Sequence, residues 1–161
     1  MYHYRLLKLQ REGKPIRVGW VGAGDFGFGT QVRAHQIPGL YPAIIADLRL
    51  DAARRSFLSA GVPSKRIVAI ESLSAANEAI RRGQSVICED WTIVTQAEID
   101  AVVKVTGVPD AAAYAAEGAI RQGKHVRAKV AIPVGTEITY DMVKRRRGSL
   151  LWELRQEQDT R

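Results

Sequence analysis

The hydrophobic positions of the chain fall into short apolar runs, separated by amphipathic stretches of helical period. The apolar runs predict strands at 16–21, 43–46, 66–70, 86–88, 101–105 and from 125 onward. The stretches between them predict helices at 2–13, 30–37, 51–60, 72–82 and 109–122, with a short helical turn at 95–98. Strands that alternate with helices over short loops form a parallel sheet covered on both faces. The pattern therefore predicts an α/β fold with a doubly wound parallel sheet of Rossmann-like type.

Capping and breaking residues set the expected helix boundaries. Asp51 and either Ser72 or Ser74 are typical N-cap residues at the starts of two predicted helices. Pro109 at the start and Gly123 at the end of the 109–122 helix follow the usual asymmetry of proline and glycine.

The first predicted strand runs directly into a turn with the spacing Gly-x-Gly-x-x-Gly, formed by Gly22, Gly24 and Gly27. In dinucleotide-binding folds the first glycine permits the tight turn and the second lets a pyrophosphate approach the backbone. The third lets the following helix pack closely. The N–H groups at the start of that helix favour a phosphate, so Asp25 and Phe26 also belong to the candidate cofactor site. The alternative is a structural glycine turn that binds nothing.

Asp47 ends the second predicted strand, 20 residues after Gly27. An acid at this position hydrogen-bonds the adenosine ribose in dinucleotide-binding folds; the alternative is a capping or loop aspartate. Arg49, Arg54 and Arg55 follow, and an arginine here would suit the 2′-phosphate of NADP, whereas the carboxylate favours NAD. The sequence leaves the choice between NADP and NAD open.

Thr106 and Gly107 close the strand predicted at 101–105. Ligands sit at the carboxyl ends of parallel strands, so both residues are candidates to border the ribose or nicotinamide; the alternative is a simple turn. Lys104 is unusual for a buried strand. It is expected to face the cleft or to mark a strand near the sheet edge, without a catalytic role.

Composition narrows the classes of function. The chain of 161 residues suits one globular core, and its only cysteine, Cys88, excludes an internal disulfide framework and is expected to be buried and inert. The three histidines stand outside any metal-ligand spacing, so we expect no metal site and no catalytic acid or base. No apolar run suits a membrane span or a secretory signal, which leads us to expect a cytoplasmic protein without a membrane partner.

The formal net charge is +7, and the only dense basic run is Lys144–Arg147. A solvated loop or a contact with an anion or a partner are the two readings of that run. Only 7% of the residues are aromatic, which gives little support to base stacking, so we do not expect a nucleic-acid partner.

Several segments in this order resemble NAD(P)-dependent oxidoreductases related to homoserine dehydrogenase. The resemblance is closest to bacterial enzymes with a C-terminal SAF domain, which include a reductoisomerase-like enzyme acting on 1-deoxy-D-xylulose 5-phosphate in isoprenoid synthesis. The matching segments are 18–27, 44–47, 79–83, 99–103 with 106–107, and 119–126. The resemblance implies a dinucleotide-binding domain at 1–126 and hydride transfer with a small hydroxy or sugar-phosphate substrate.

The resemblance changes character after Val126. Residues 127–161 resemble the end of a SAF domain followed by the closing helix of the family, without the central catalytic domain that the family has between them. Lys104 is a second departure, since the family usually has an acid near that position. These departures leave two alternatives, an oxidoreductase represented by its cofactor domain and a non-catalytic nucleotide-binding or sensor module. A sheet that ends at this point would expose an apolar edge, which favours a homodimer.

Overall fold

The computed structural model describes residues 2–105 and 116–128. In chain order the elements are α1 (Tyr2–Arg11), β1 (Ile16–Val21), α2 (Asp25–His35), β2 (Leu40–Ala46), α3 (Leu50–Ser59), β3 (Ile67–Ala69), α4 (Leu73–Arg81), β4 (Ser85–Cys88), α5 (Trp91–Gln96), β5 (Ala101–Lys104) and β6 (His125–Ala128). A 3-10 turn at Ser64–Arg66 precedes β3, and residues 116–121 are helical.

The strands form one parallel sheet of six in the order β3-β4-β2-β1-β5-β6. From β1 the chain builds toward β3 on one side, and after β4 it crosses to β5 on the other side. The neighbouring strands β1 and β5 therefore flank the point where the direction of winding reverses. The predicted doubly wound parallel sheet is confirmed. In sheets of this topology, ligands bind at the carboxyl ends of the strands that flank the reversal, which here are β1 and β5.

Alternate residues of each strand face different helical layers. In β1, Val18 and Trp20 pack with Phe57 on the side of α1, α2 and α3. Val21 packs with Ile80 and Val94, among others, on the side of α4, α5 and the helical residues near 119. Because successive strand side chains point to opposite faces, apolar residues along the whole strand bury both layers.

Two local features let β1 and β2 sit at the centre of the sheet. An ideal Cβ on Gly19 would lie 2.6 Å from Ile99 Cδ1 and 2.7 Å from Val94 Cγ1, so glycine allows α5 and the residues after it to pack closely on β1. In the β1–β2 pairing, Val18 is opposite Pro42 and Gly19 is opposite Ile44. The resulting bulge accommodates a proline, which has no N–H group for the ladder.

Several predicted boundaries are wrong in detail. The first crossover helix begins at Asp25, directly after the glycine turn, and α5 spans Trp91–Gln96 instead of a turn at 95–98. Arg49, not Asp51, is the N-cap residue of α3. Ser72 does cap α4, where its side chain accepts a hydrogen bond from the Ala75 N–H.

Beyond Ala128, the predicted SAF-like tail, its closing helix and the basic run Lys144–Arg147 lie outside the described residues. So do Thr106, Gly107 and Pro109. Strand β6 spans His125–Ala128, and the predicted domain boundary at 126 stays a prediction. Among the described helices, none is both long enough and apolar enough to span a bilayer.

Candidate functional site

The carboxyl ends of the central strands lie side by side. The N–H of Gly22, after β1, donates to Ala46 O of β2 at 2.8 Å, and the N–H of Asp47 donates to Cys88 O of β4 at 3.0 Å. On the other side, the N–H of Val105 donates to Val21 O at 2.9 Å. The glycine turn and Asp47, which are far apart in sequence, therefore occupy one edge of the sheet.

The glycine turn leaves β1 through a backbone conformation that favours glycine. Gly22 has a φ of 106°, in a region that L side chains rarely adopt. Gly24 occupies the N-cap position of α2 with extended backbone, and its carbonyl accepts from the Phe28 N–H at 2.7 Å. The predicted role of Gly22 in a tight turn thus agrees with its geometry.

Gly24 and Gly27 differ in what surrounds them. An ideal Cβ on Gly27 would lie 2.6 Å from the Gly22 carbonyl oxygen and 3.0 Å from Val105 Cγ2, so this glycine permits close packing of α2 on the sheet. An ideal Cβ on Gly24 would have no heavy atom within 4 Å among the described residues, and its φ of −64° is open to any L residue. Among the described residues, neither packing nor backbone conformation therefore requires glycine at position 24.

The start of α2 provides an electropositive backbone site. Gly24 has no side chain that could accept hydrogen bonds from the first turn, as a Ser, Thr or Asp cap would. N–H groups at the start of a helix and the macrodipole together favour an anion there. Asp25 and Phe26 are both exposed in this first turn, Phe26 to 48%, and the carboxylate of Asp25 opposes a second anion by like charge.

Asp47 joins the second strand to the glycine turn. Its Oδ2 accepts a hydrogen bond from the Ala23 N–H at 2.6 Å, and its Oδ1 accepts from the Arg49 N–H at 2.8 Å. These backbone donors fix the direction of the carboxylate, which is partly exposed. A carboxylate has about four lone-pair sites, so acceptor capacity remains for hydroxyl groups of a ligand.

The three arginines near Asp47 differ in their surroundings. The backbone N–H of Arg49 donates a hydrogen bond to the Asp47 carboxylate, and Arg49 is an exposed residue. The guanidinium of Arg55 lies over the Phe28 ring, 5.8 Å from its centroid, in a cation–π contact. Arg54 is partly buried on α3.

A buried glutamine, Gln31, also contacts the turn, although it is not part of the sequence motif. Gln31 is 1% exposed, and its Nε2 donates to the Gly22 carbonyl at 2.9 Å. Gln31 lies four residues after Gly27 and three before Ala34, and all three are buried on the same face of α2. A polar residue at apolar helical spacing is the signal in the sequence that could have identified it.

Lys104 and Cys88 are buried at the same edge. Lys104 is 2% exposed, and burial lowers its pKa from the ordinary value. Strand β5 lies between β1 and β6, as the second strand from one end of the described sheet, so Lys104 does stand near an edge of the sheet. Burial, with a smaller contribution from the charge of Asp90, raises the pKa of Cys88 to about 12, which agrees with the expected inert thiol.

A cavity of about 600 Å³ opens at the carboxyl ends of β3 and β4, on the far side of β2 from the glycine turn. Three acids contribute to its wall, together with small and apolar side chains. The lining residues are Leu50, Ala69, Ile70, Glu71, Ala75, Glu89, Asp90 and Ile93. The acidic wall disfavours phosphate groups and suits neutral groups that donate hydrogen bonds.

The two remaining predicted site residues, Thr106 and Gly107, lie outside the described residues. Within 2–105 and 116–128, no cluster of three or more histidines, cysteines and acids is arranged to hold a metal ion.

The comparisons with known proteins identify the fold. No protein-family model and no curated protein matches the chain. Among solved structures, apo scyllo-inositol dehydrogenase from Lactobacillus casei matches with a TM-score of 0.52 and 22% identity over 73% of this chain. The myo-inositol dehydrogenase from Lactobacillus casei, in complex with NAD(H) and myo-inositol, matches with a TM-score of 0.53 and 18% identity over 71%. A 3-ketoreductase from Actinomadura kijaniata, in complex with TDP-benzene and NADP, matches with a TM-score of 0.50 and 23% identity over 73%.

At these identities the likeness concerns the fold, which is the Rossmann-type α/β fold of these oxidoreductases. The chain spans 28–31% of the length of the three structures. The coarser prediction of a Rossmann-like fold is thereby confirmed. The finer resemblance to homoserine dehydrogenase-like enzymes with a SAF domain stays a prediction.

Proposed function

We propose that this domain binds a nicotinamide dinucleotide, with its diphosphate against the turn Gly22–Gly27. The observation that carries the proposal is the start of α2, which lies beside β5 at the reversal of winding with a glycine at its N-cap. The open space around Gly24 supports the same conclusion, since a diphosphate can approach the backbone there without meeting a described side chain.

The described residues also support an orientation for the ligand. Asp47 holds the hydroxyls of the adenosine ribose, because its carboxylate is fixed at the end of β2 beside the turn. The adenine end then extends toward the cavity at the ends of β3 and β4, whose acids accept hydrogen bonds from an amino group. The nicotinamide end extends toward the end of β5, where Thr106 and Gly107 follow in the sequence.

The chemistry supplied by such a cofactor is hydride donation or acceptance at the nicotinamide ring. The described residues bind and orient the dinucleotide. We propose that the domain belongs to an oxidoreductase acting on a small hydroxy or sugar-phosphate substrate, in line with the family resemblance. A non-catalytic nucleotide-binding module is the second candidate, supported by the departure from the family after Val126.

The contacts of Asp47 favour NAD over NADP. Both of its carboxylate oxygens accept from backbone N–H groups, so the carboxylate is held in place and does not turn away from a ligand. The 2′-phosphate on the ribose of NADP would add negative charge beside this carboxylate. Arg55 is already placed over Phe28. NADH should therefore bind more tightly than NADPH.

A fluorescence titration with NADH and NADPH tests the proposal, and Gly24 at the N-cap of α2 and Gly29 within α2 supply a matched pair of variants. An ideal Cβ on either Gly24 or Gly29 meets no described atom within 4 Å, so both Gly24→Val and Gly29→Val should fold. We expect Gly24→Val to lose dinucleotide affinity by roughly 100-fold, because the added side chain occupies the space of the diphosphate. Gly29→Val, two residues beyond the third glycine, should bind as the parent does.

Three results would contradict these proposals. Equal affinity of Gly24→Val and the parent would show that the glycine turn is not the site, and binding of neither dinucleotide would exclude both candidates. Binding without turnover of hydroxy or sugar-phosphate substrates would favour the non-catalytic module. A preference for NADPH would contradict the assignment of Asp47 to an unphosphorylated ribose.

A further inference from the structure

One peptide group of the glycine turn is held at both of its ends by side chains from different elements. The peptide between Gly22 and Ala23 contains the Gly22 carbonyl and the Ala23 N–H. Gln31 of α2 donates to the carbonyl at 2.9 Å, and Asp47 after β2 accepts from the N–H at 2.6 Å. In a trans peptide these two groups point in opposite directions, so the two side chains fix the orientation of its plane.

This peptide needs such support because Gly22 is conformationally permissive. At a φ of 106°, and without a Cβ, Gly22 gives the peptide that follows it more rotational freedom than other residues would. A rotation that reversed the peptide would direct the carbonyl oxygen toward the carboxylate of Asp47. It would also change the direction of the backbone at the entrance to α2, where the diphosphate is proposed to bind.

Gln31 is well placed to prevent that rotation. It is 1% exposed and lies on the face of α2 that contacts the sheet. A buried amide is costly unless it forms hydrogen bonds. Among the described residues the amide of Gln31 forms one, through Nε2, while its Oε1 accepts none. Its Nε2 donates to the carbonyl of the first glycine of the turn, nine residues earlier in the chain.

We infer that Gln31 is a positioning residue for dinucleotide binding: together with Asp47 it holds the Gly22–Ala23 peptide in the orientation that presents the start of α2 to a diphosphate. Gln31 acts through the turn and makes no contact with the ligand. Asp47 then has two tasks, since one carboxylate orients the turn and accepts from the ribose. This inference rests on the proposed function for its ligand, whereas the two hydrogen bonds of this clamp join groups of the protein itself.

The test compares Gln31→Met with Ser56→Ala. Methionine keeps the approximate shape of glutamine and removes the donor. Ser56 is also fully buried and polar, on α3, where its Oγ donates to Ala52 O at 3.2 Å without contacting the turn. Affinity for NADH and the melting temperature are measured for both variants. Amide hydrogen exchange of the ligand-free proteins is followed at residues 22–24 and, as an internal reference, in β4.

We expect Gln31→Met to weaken NADH binding by roughly 10-fold, and to speed exchange at 22–24 by a similar factor with β4 unchanged. Ser56→Ala should lower the melting temperature and keep the parent affinity to within about twofold. Should Gln31→Met fail to fold, Gln31→Asn, whose amide is one methylene shorter, carries the same expectations.

The inference is overturned if the Gln31 variant matches the parent in affinity and in exchange at 22–24, or if Ser56→Ala loses as much affinity. A parent protein that binds neither dinucleotide would refute the proposed function. The exchange measurement would still decide, in that case, whether Gln31 holds the turn.

Discussion

Two strand-to-helix turns at the same edge of the sheet have opposite chemistry. After β1, the turn enters α2 with Gly24 at the N-cap, a position without a side chain. After β4, the turn enters α5 with Asp90 at the N-cap, whose Oδ1 accepts from the Thr92 N–H at 2.8 Å. Asp90 also accepts from the Thr92 hydroxyl at 2.7 Å. The first helix start is available to an external anion, and the second is closed by its own carboxylate.

The two turns have similar surroundings and differ at the N-cap residue. Both turns follow buried parallel strands whose ends lie near each other, with β2 between them. Both helices direct backbone N–H groups toward the same edge, as every helix start does. The N-cap residue decides whether those groups are satisfied within the protein or remain suited to a ligand.

The largest effect is expected when the turn after β1 is given a capping carboxylate like that of Asp90. Gly24→Asp places a capping carboxylate where the diphosphate is proposed to bind. The extended backbone at position 24 accepts aspartate, so stability should be unchanged or rise by a few tenths of a kcal/mol. NADH affinity should fall by roughly 100-fold, because of repulsion between like charges at short range. A titration together with urea unfolding measures both quantities, and retained affinity would show that the two turns do not differ in function.

An intermediate effect is expected when the closed turn is opened. Asp90→Ala removes the cap of α5 and should lower the free energy of unfolding by about 1 kcal/mol. Affinity for NADH should change by less than about threefold, because Asp90 lies away from the diphosphate and is only one of the three acids that line the cavity proposed for the adenine. Chemical denaturation gives the first value. A loss of affinity as large as that of Gly24→Asp would assign ligand binding to the β4 turn instead.

The smallest effect is expected at Asp25, the exposed acid in the first turn of α2. Asp25→Asn removes a negative charge beside the proposed diphosphate, so NADH affinity should rise by about two- to threefold at low ionic strength. The gain should diminish when the salt concentration is increased, since solvent ions screen exposed charges. Arg33→Gln, at the other end of α2, serves as the control for a distant change of charge. A decrease in affinity would mean that Asp25 assists binding.

The sequence predicts much of the fold because each strand leaves a local signal. The run at 16–21 is apolar enough to be buried on both faces, and the glycines after it mark its end. The same local signals failed at α5, whose start at Trp91 depends on the Asp90 cap, and at α3, which begins at Leu50 ahead of the expected cap. Helix ends are set by single hydrogen bonds, which periodicity does not record.

The sequence predicts the part of the candidate site that follows a fixed residue spacing. Gly22, Gly24, Gly27 and Asp47 follow a motif whose spacing reflects one strand, one turn and one helix. The sequence motif did not indicate Gln31, because its side chain contacts a backbone carbonyl and every residue has one. The cavity lined by acids combines residues from α3, β3, α4 and the β4 turn, and no local pattern relates these segments.

The sequence by itself determined the alternation of strands and helices and the tight turn at Gly22, because apolar periodicity and backbone freedom are local properties. The tertiary structure decided which turn remains available to a ligand, and it joined Gln31, the Gly22–Ala23 peptide and Asp47 into one clamp. Those relations depend on the parallel pairing of β1 with β2 and on the close approach of α2 to the sheet. Distances between separate elements are fixed only when the chain packs.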